Sequence, residues 1–248
     1  MITDENGMGS AVGDYDNDMD LDWFVSSIFG INDKTGNRLY RNKGDGKFED
    51  VTSFAGVREG FWGWGSCMSD FNNDGNLDIF HINGWWLNPF TNDPSRLFIS
   101  NGDGTFDEKS ADYNLIDDSS GRGVVCFDFD RDGDIDIFIS PYNSGVKLFR
   151  NDGGNKNNFI NIKLNGITPN TQAIGSRIYI KASGITQMRE LNSGNNYVSQ
   201  NPVEQHFGLA KESIVDEVRI EWLDGKITVM KNINSNQFLT ISHPDFLN

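Results

Sequence analysis

An Asp-rich nonapeptide that recurs three times constrains this chain more than any other feature. Asp14-Tyr-Asp16-Asn-Asp18-Met19-Asp20-Leu-Asp22 is the first copy, and Asp70-Phe-Asn72-Asn-Asp74-Gly75-Asn76-Leu-Asp78 the second. Asp128-Phe-Asp130-Arg-Asp132-Gly133-Asp134-Ile-Asp136 is the third, so successive copies start 56 and 58 residues apart. Each places oxygen-bearing side chains at positions 1, 3, 5 and 9 and, in two copies, Gly at position 6. That pattern suits a hard cation, because Ca²⁺ takes six to eight oxygen ligands and EF-hand loops open with the same i, i+2, i+4 spacing. No helix is signalled on either flank, unlike an EF-hand. Each loop runs instead into a strand-like tail, such as Leu77-Asp-Ile-Phe80.

The remainder of the period repeats as well. A Gly-rich apolar run precedes each loop (Gly7–Gly13, Gly63–Ser69, Gly121–Phe127). A strand beginning Leu-Tyr or Leu-Phe follows, at Leu39, Leu97 and Leu148, and ends in a Gly turn. Gly-Asp-Gly between apolar runs marks a tight hairpin, since Gly accepts positive φ without steric cost. One period therefore reads as four antiparallel strands with the Asp loop between the first two, which is the pattern of a β-propeller blade.

The predicted ligands are the side chains of Asp14, Asp16, Asp18 and Asp22, of Asp70, Asn72, Asp74 and Asp78, and of Asp128, Asp130, Asp132 and Asp136. The position-7 residues Asp20, Asn76 and Asp134 are expected to offer backbone carbonyls, by the EF-hand pattern. Up to three Ca²⁺ are implied, with loop three tightest. Met19 stands in the Gly slot of loop one, where a left-handed backbone would cost roughly 1–2 kcal/mol.

These residues resemble the FG-GAP/VCBS family, whose integrin-type blades carry D-x-D-x-D-G-x-x-D Ca²⁺ loops in their first hairpin. Downstream, Ala173–Arg177, Gln187–Glu190, Ser193-Gly194, Ser199–Asn201, His206–Leu209 and Val215–Trp222 are similar to the ASPIC/UnbV domain of cartilage-acidic-protein-like proteins. The resemblance implies an all-β chain: a partial propeller of two to three four-stranded blades, then a small antiparallel β domain. Blades are expected over about 1–56, 57–114 and 115–157, with the second domain over 158–248. Its strands alternate at Ile160, Ile162 and Leu164, at Ile178 and Ile180, at Val218, Ile220 and Trp222, and at Ile227 and Val229, with a hairpin at Asp224-Gly225. Propellers close with four to eight blades, so the chain reads as the C-terminal part of a longer protein and Met1 is not expected to be its native start.

Composition fits. Asp and Glu number 36 against 21 Lys and Arg, a net charge of −15. Much of the excess sits in the three loops, and three Ca²⁺ would bring it to −9. Nucleic acid and anionic membrane both need basic patches and are not expected as partners. No apolar run of 18 residues suggests a membrane span, and Met1–Asn6 shows no signal peptide.

Other features carry two readings each. Cys67 and Cys126 lie three and two residues before their loops, an offset that points them to opposite strand faces. A disulfide is therefore not expected. Trp85, Trp86 and Phe90 sit in a long connection; they cover the blade's edge or anchor a protein or glycan partner. His206 lacks a catalytic companion and reads as a hydrogen-bonded structural residue. The predicted function is a calcium-binding, non-enzymatic interaction or adhesion module with structural Ca²⁺. Its expected place is extracellular, at a cell surface or in a periplasm, where millimolar Ca²⁺ fills weak sites. The alternative is a carbohydrate-binding or polysaccharide-lyase-type propeller.

Overall fold

A computed structural model describes residues 6–30 and 35–246, so the expectation about Met1 lies outside the described residues. Among the described residues the alternating apolar runs form eighteen strands arranged in five sheets. The first sheet holds β1 (Gly9–Gly13), β2 (Asp22–Ser26), β3 (Arg38–Asn42) and β4 (Phe48–Asp50) in sequence order. The second repeats the arrangement with β5 (Gly63–Ser69), β6 (Asp78–Asn83), β7 (Arg96–Ser100) and β8 (Phe106–Glu108). A four-residue helix, α1 (Thr52–Ala55), lies between them. The third sheet holds only β9 (Gly121–Phe127), β10 (Asp136–Pro141) and β11 (Lys147–Phe149). After β11 the chain leaves through the Gly-rich turn at 151–157, so no fourth strand completes this blade among the described residues.

The blades stack face to face, with β1 beside β5 and β5 beside β9. Blade two is covered on both sides, which explains why every residue of β6 is buried. Ile79 faces blade one with Phe24, Leu39 and Phe98. Its neighbour Phe80 faces blade three with Ile82, Leu97, Ile137 and Ile139. Each such buried side chain contributes on the order of 1.5–3 kcal/mol.

The same stacking overturns the expectation about the cysteines. Cys67 and Cys126 form a disulfide, with Cα atoms 6.8 Å apart. Their parity is indeed opposite: Cys67 pairs across its hairpin with Phe80, whereas Cys126 pairs with Ile137. In stacked sheets, however, the front of one blade meets the back of the next. Opposite parity on successive blades therefore brings two side chains together, and both cysteines lie in the core between blades two and three.

The C-terminal part contains β12 (Asn158–Asn165), β13 (Arg177–Ala182), β14 (Ile185–Glu190), β15 (Gln205–Ala210), β16 (Ile214–Glu221), β17 (Ile227–Asn234) and β18 (Gln237–Ser242). They make two sheets, β15-β12-β18 and β14-β13-β16-β17, around one core that includes Ile160, Ile162, Ile178, Phe207, Val218 and Trp222. The domain is not purely antiparallel, because β12 and β18 run parallel. Two-residue alternation reports which face is buried and carries no information on strand direction. The hairpin at Asp224-Gly225 forms, closed by Trp222 N–H to Lys226 C=O at 2.9 Å. Its register pairs Ile227 with Glu221 and Val229 with Arg219, which puts both apolar residues on the exposed face.

Candidate metal centre

Each Asp loop connects the first two strands of its blade, and all three share one hydrogen-bond scaffold. The position-1 carboxylate accepts from the backbone N–H groups of positions 5 and 6. Asp14 accepts from Asp18 (3.0 Å) and Met19 (3.2 Å), Asp70 from Asp74 (3.1 Å) and Gly75 (2.8 Å), and Asp128 from Asp132 (3.1 Å) and Gly133 (3.0 Å). The position-5 carboxylate accepts from the N–H of position 7, as in Asp74 from Asn76 at 2.8 Å. These bonds curl the backbone so that the position-6 residue sits at positive φ: Met19 at 77°, Gly75 at 95° and Gly133 at 101°.

Position 9 fastens the loop to its blade. Asp22, Asp78 and Asp136 each accept from the N–H of position 2, on Tyr15, Phe71 and Phe129. Their second oxygen accepts from a residue at the end of the third strand or just beyond it, namely Asn42, Ser100 and Asn151, each at 2.8 Å. The sequence pattern showed these aspartates only as ligands; the structure gives them this anchoring role too.

The carboxylates of loops one and three come close together, while those of loop two form no such cluster among the described residues. Oxygens of Asp14, Asp16 and Asp18 lie within 4.8 Å of one another, as do those of Asp128, Asp130 and Asp136. Asp22 falls outside the first cluster and Asp132 outside the second. In loop two, Asn72 donates to Asp74 at 3.0 Å. Burial makes the clusters costly. Desolvation pushes Asp14 and Asp136 up to about 6, Asp70 to about 7 and Asp22 to about 8. Asp16, Asp78 and Asp128 are raised for the same reason. One oxygen of Asp16 is buried without a partner. Crowded, dehydrated carboxylates with an unsatisfied oxygen fit a hard cation, which would supply the missing charge.

The loops are also joined to one another through position 4. Asn17, Asn73 and Arg131 all adopt positive φ, at 57°, 57° and 60°. Asn17 donates to the carbonyl of Gly75 at 3.2 Å, and Asn73 donates to that of Gly133 at 2.8 Å. Arg131, at the end of the series, turns to the C-terminal domain, with its guanidinium 3.8 Å from the Phe238 ring centre and 3.6 Å from Glu204. The position-4 residues were missed in the sequence. The signal available was the repeated Asn, which tolerates left-handed backbone.

The C-terminal domain covers loop two. His206 Nε2 lies 2.5 Å from Asn73 Oδ1, and Ala210 N–H donates to the Asn73 carbonyl at 2.8 Å. Gly208 packs so closely on Asp70 and the Asn73 backbone that a Cβ would overlap them. Burial and the nearby Arg189 hold His206 down at about 3, so its imidazole is neutral. Arg189 is itself buried and exerts a favourable charge effect on Asp14 and Asp70. A cavity of about 1050 Å³ is lined by residues of β1, β5 and β9 and of this domain, Arg189, Tyr197 and His206 among them.

The three aromatics of the long connection behave differently. Trp85 stacks on Trp62 at 4.9 Å and on Trp64 at 5.4 Å, and Phe90 meets Trp62 edge-on at 4.9 Å. Arg122 lies 3.9 Å over Trp64. Phe90 is buried, while Trp86 remains 59% exposed. No helix among the described residues is long and apolar enough to cross a membrane.

Comparison with known families agrees with this geometry. Residues 14–81 and 85–139 match the FG-GAP-like repeat, and residues 166–247 match ASPIC and UnbV. Cartilage acidic protein 1 of Homo sapiens is 28% identical over 89% of this chain and 42% of its own length. The Xenopus tropicalis protein of that name is 27% identical over 96% of this chain and 45% of its own. The chain thus spans less than half the length of these curated relatives.

Proposed function

This chain belongs to the FG-GAP-like repeat proteins that carry a C-terminal ASPIC and UnbV domain, and we propose that it is a calcium-stabilised, non-enzymatic interaction module. One observation carries the reading: three loops repeat the same carboxylate scaffold at the same place in successive blades. The proposed ligands are the side chains at positions 1, 3, 5 and 9 of each loop, with the position-7 carbonyls of Asp20, Asn76 and Asp134. Bound Ca²⁺ would supply the counter-charge that lets each buried cluster stay ionised. The protein's own part is to hold the position-1 and position-9 carboxylates in place through backbone N–H donors.

The proposed division of the chain places blades over 1–157 and the second domain over 158–248. The Cys67–Cys126 disulfide supports an extracellular, cell-surface or periplasmic setting, since such bonds persist in oxidising compartments. The proposed contact surface for a protein partner centres on Trp86, the exposed indole tilted against Trp85 of the stacked group. A carbohydrate-binding reading rests on the same exposed indole, because sugar rings stack on such faces.

Calorimetric titration of chelated protein with CaCl₂ tests the central claim. Up to three bound ions per chain are expected. No heat and no bound metal would overturn it.

A further inference from the structure

The second loop differs from its sisters in what surrounds it. Asn73 is fully buried, and its side-chain amide and backbone carbonyl have partners from elsewhere in the chain. Its Nδ2 donates to Gly133, which fixes Oδ1 as the acceptor facing His206 Nε2. The imidazole therefore carries its proton on Nε2. Its backbone carbonyl accepts from Ala210. By contrast, Asn17 Oδ1 in loop one is buried without a partner, and Arg131 in loop three points its exposed side chain at Phe238. The His206-Phe-Gly-Leu209 segment thus fits loop two alone: its Gly admits Asp70, and its His and the following Ala210 hold Asn73 at φ 57°.

We propose that loop two is an interdomain metal site, in which His206, Gly208 and Ala210 of the C-terminal domain are positioning residues for the cation. The proposal rests on the calcium reading of the loops. None of the three is a ligand. They act through Asn73 and Asp70 by fixing the left-handed turn that brings positions 1, 3 and 5 together. Metal binding and docking of the C-terminal domain then stabilise each other, because linkage between two equilibria is reciprocal. The clamp acts on loop two directly and reaches loop three only through the Asn73–Gly133 bond and through Phe159, which stacks on His206 and packs on Gly133.

The two relevant amides give site-resolved signals, since Gly75 donates to Asp70 and Gly133 to Asp128. Both would be followed by NMR while CaCl₂ is added to the full chain. In the native protein, Ca²⁺ is expected to shift both amides and to slow hydrogen exchange at Ala210 N–H at least about tenfold. His206→Leu is expected to raise the Gly75 midpoint roughly tenfold, the loss of about one buried hydrogen bond, and the Gly133 midpoint by less than about threefold. His206→Gln, whose amide can donate to Asn73 Oδ1, is expected to restore most of the loss. The proposal fails if Gly75 responds to Ca²⁺ while Ala210 exchange does not change, a comparison that needs no variant. It also fails if the two glycine midpoints rise by the same factor in His206→Leu. Silence of both glycines in the native protein would overturn the calcium reading itself.

Discussion

Asn73 reaches across from one blade to the next, its Nδ2 donating to the Gly133 carbonyl at 2.8 Å. Asn17 does the same to Gly75 at 3.2 Å, so the three loops form a connected row along one end of the blade stack. Because the row is linked by these hydrogen bonds, a change in one loop reaches its neighbour in attenuated form.

Asn73→Ala tests that link. The substitution removes the donor to Gly133 and the acceptor for His206, and leaves both partners buried without a bond. An unsatisfied buried group costs about 1–3 kcal/mol. A loss of roughly 2–4 kcal/mol is expected in urea unfolding at saturating Ca²⁺. Asn17→Ala, which breaks a longer and less buried bond, is expected to cost less than half of that.

The blade repeat and the loop positions were legible because both depend on short-range pattern. Asp spacing, Gly slots and two-residue alternation are properties of nine to twelve consecutive residues. The pairing of Cys67 with Cys126 was not legible, since it depends on which faces of two different sheets meet. The parallel β12–β18 contact was hidden for a similar reason: Ile160 and Ile162 alternate identically whichever way their neighbour runs. Gly208 and His206 stood out as a motif, but their target, Asn73, is 133 residues from His206. No local pattern encodes such a contact.

Metal-free protein is expected to become more stable as pH falls from 8 to 5.5. Burial raises Asp14 and Asp136 to about 6, Asp70 to about 7 and Asp22 to about 8, against 3.8 for an ordinary aspartate. Between those limits the folded state binds more protons than the unfolded state, so stability declines with rising pH. Partial solvent access at the loop mouths weakens the effect, and a rise in Tm of about 5 °C is expected on acidification. With saturating Ca²⁺ the trend reverses, because protons then compete with the cation for the same oxygens. Calorimetric scans of chelated and Ca²⁺-loaded samples across this range check both signs.

The disulfide closes a 59-residue separation between blades two and three. On a chain-entropy account, a loop of that size contributes about 4 kcal/mol through the unfolded state. The double variant Cys67→Ser, Cys126→Ser is expected to melt roughly 10 °C lower than the oxidised protein. Reduction of the native protein under denaturing conditions, followed by thiol alkylation and mass measurement, checks that the bond is present. An equal melting temperature for the two forms would mean that packing alone holds the blades together.

Met19 occupies the position that is Gly75 and Gly133 in the sister loops, and it adopts φ 77°. A side chain in left-handed backbone costs roughly 1–2 kcal/mol relative to Gly. Met19→Gly removes that strain but adds unfolded-state entropy, which returns part of the gain. The strain also opposes the curl that brings Asp14, Asp16 and Asp18 together, so relief acts on metal binding as well as on folding. A net improvement of about 0.5–1 kcal/mol is expected, or roughly two- to fivefold in the Ca²⁺ affinity of loop one. Titration resolved by the amide of residue 19, which donates to Asp14, reads that site directly. Weaker binding in the variant would show that Met19 makes contacts worth more than its strained backbone costs. The cleft that the half-buried Met19 lines together with Leu21 and Trp23 would then be where to look.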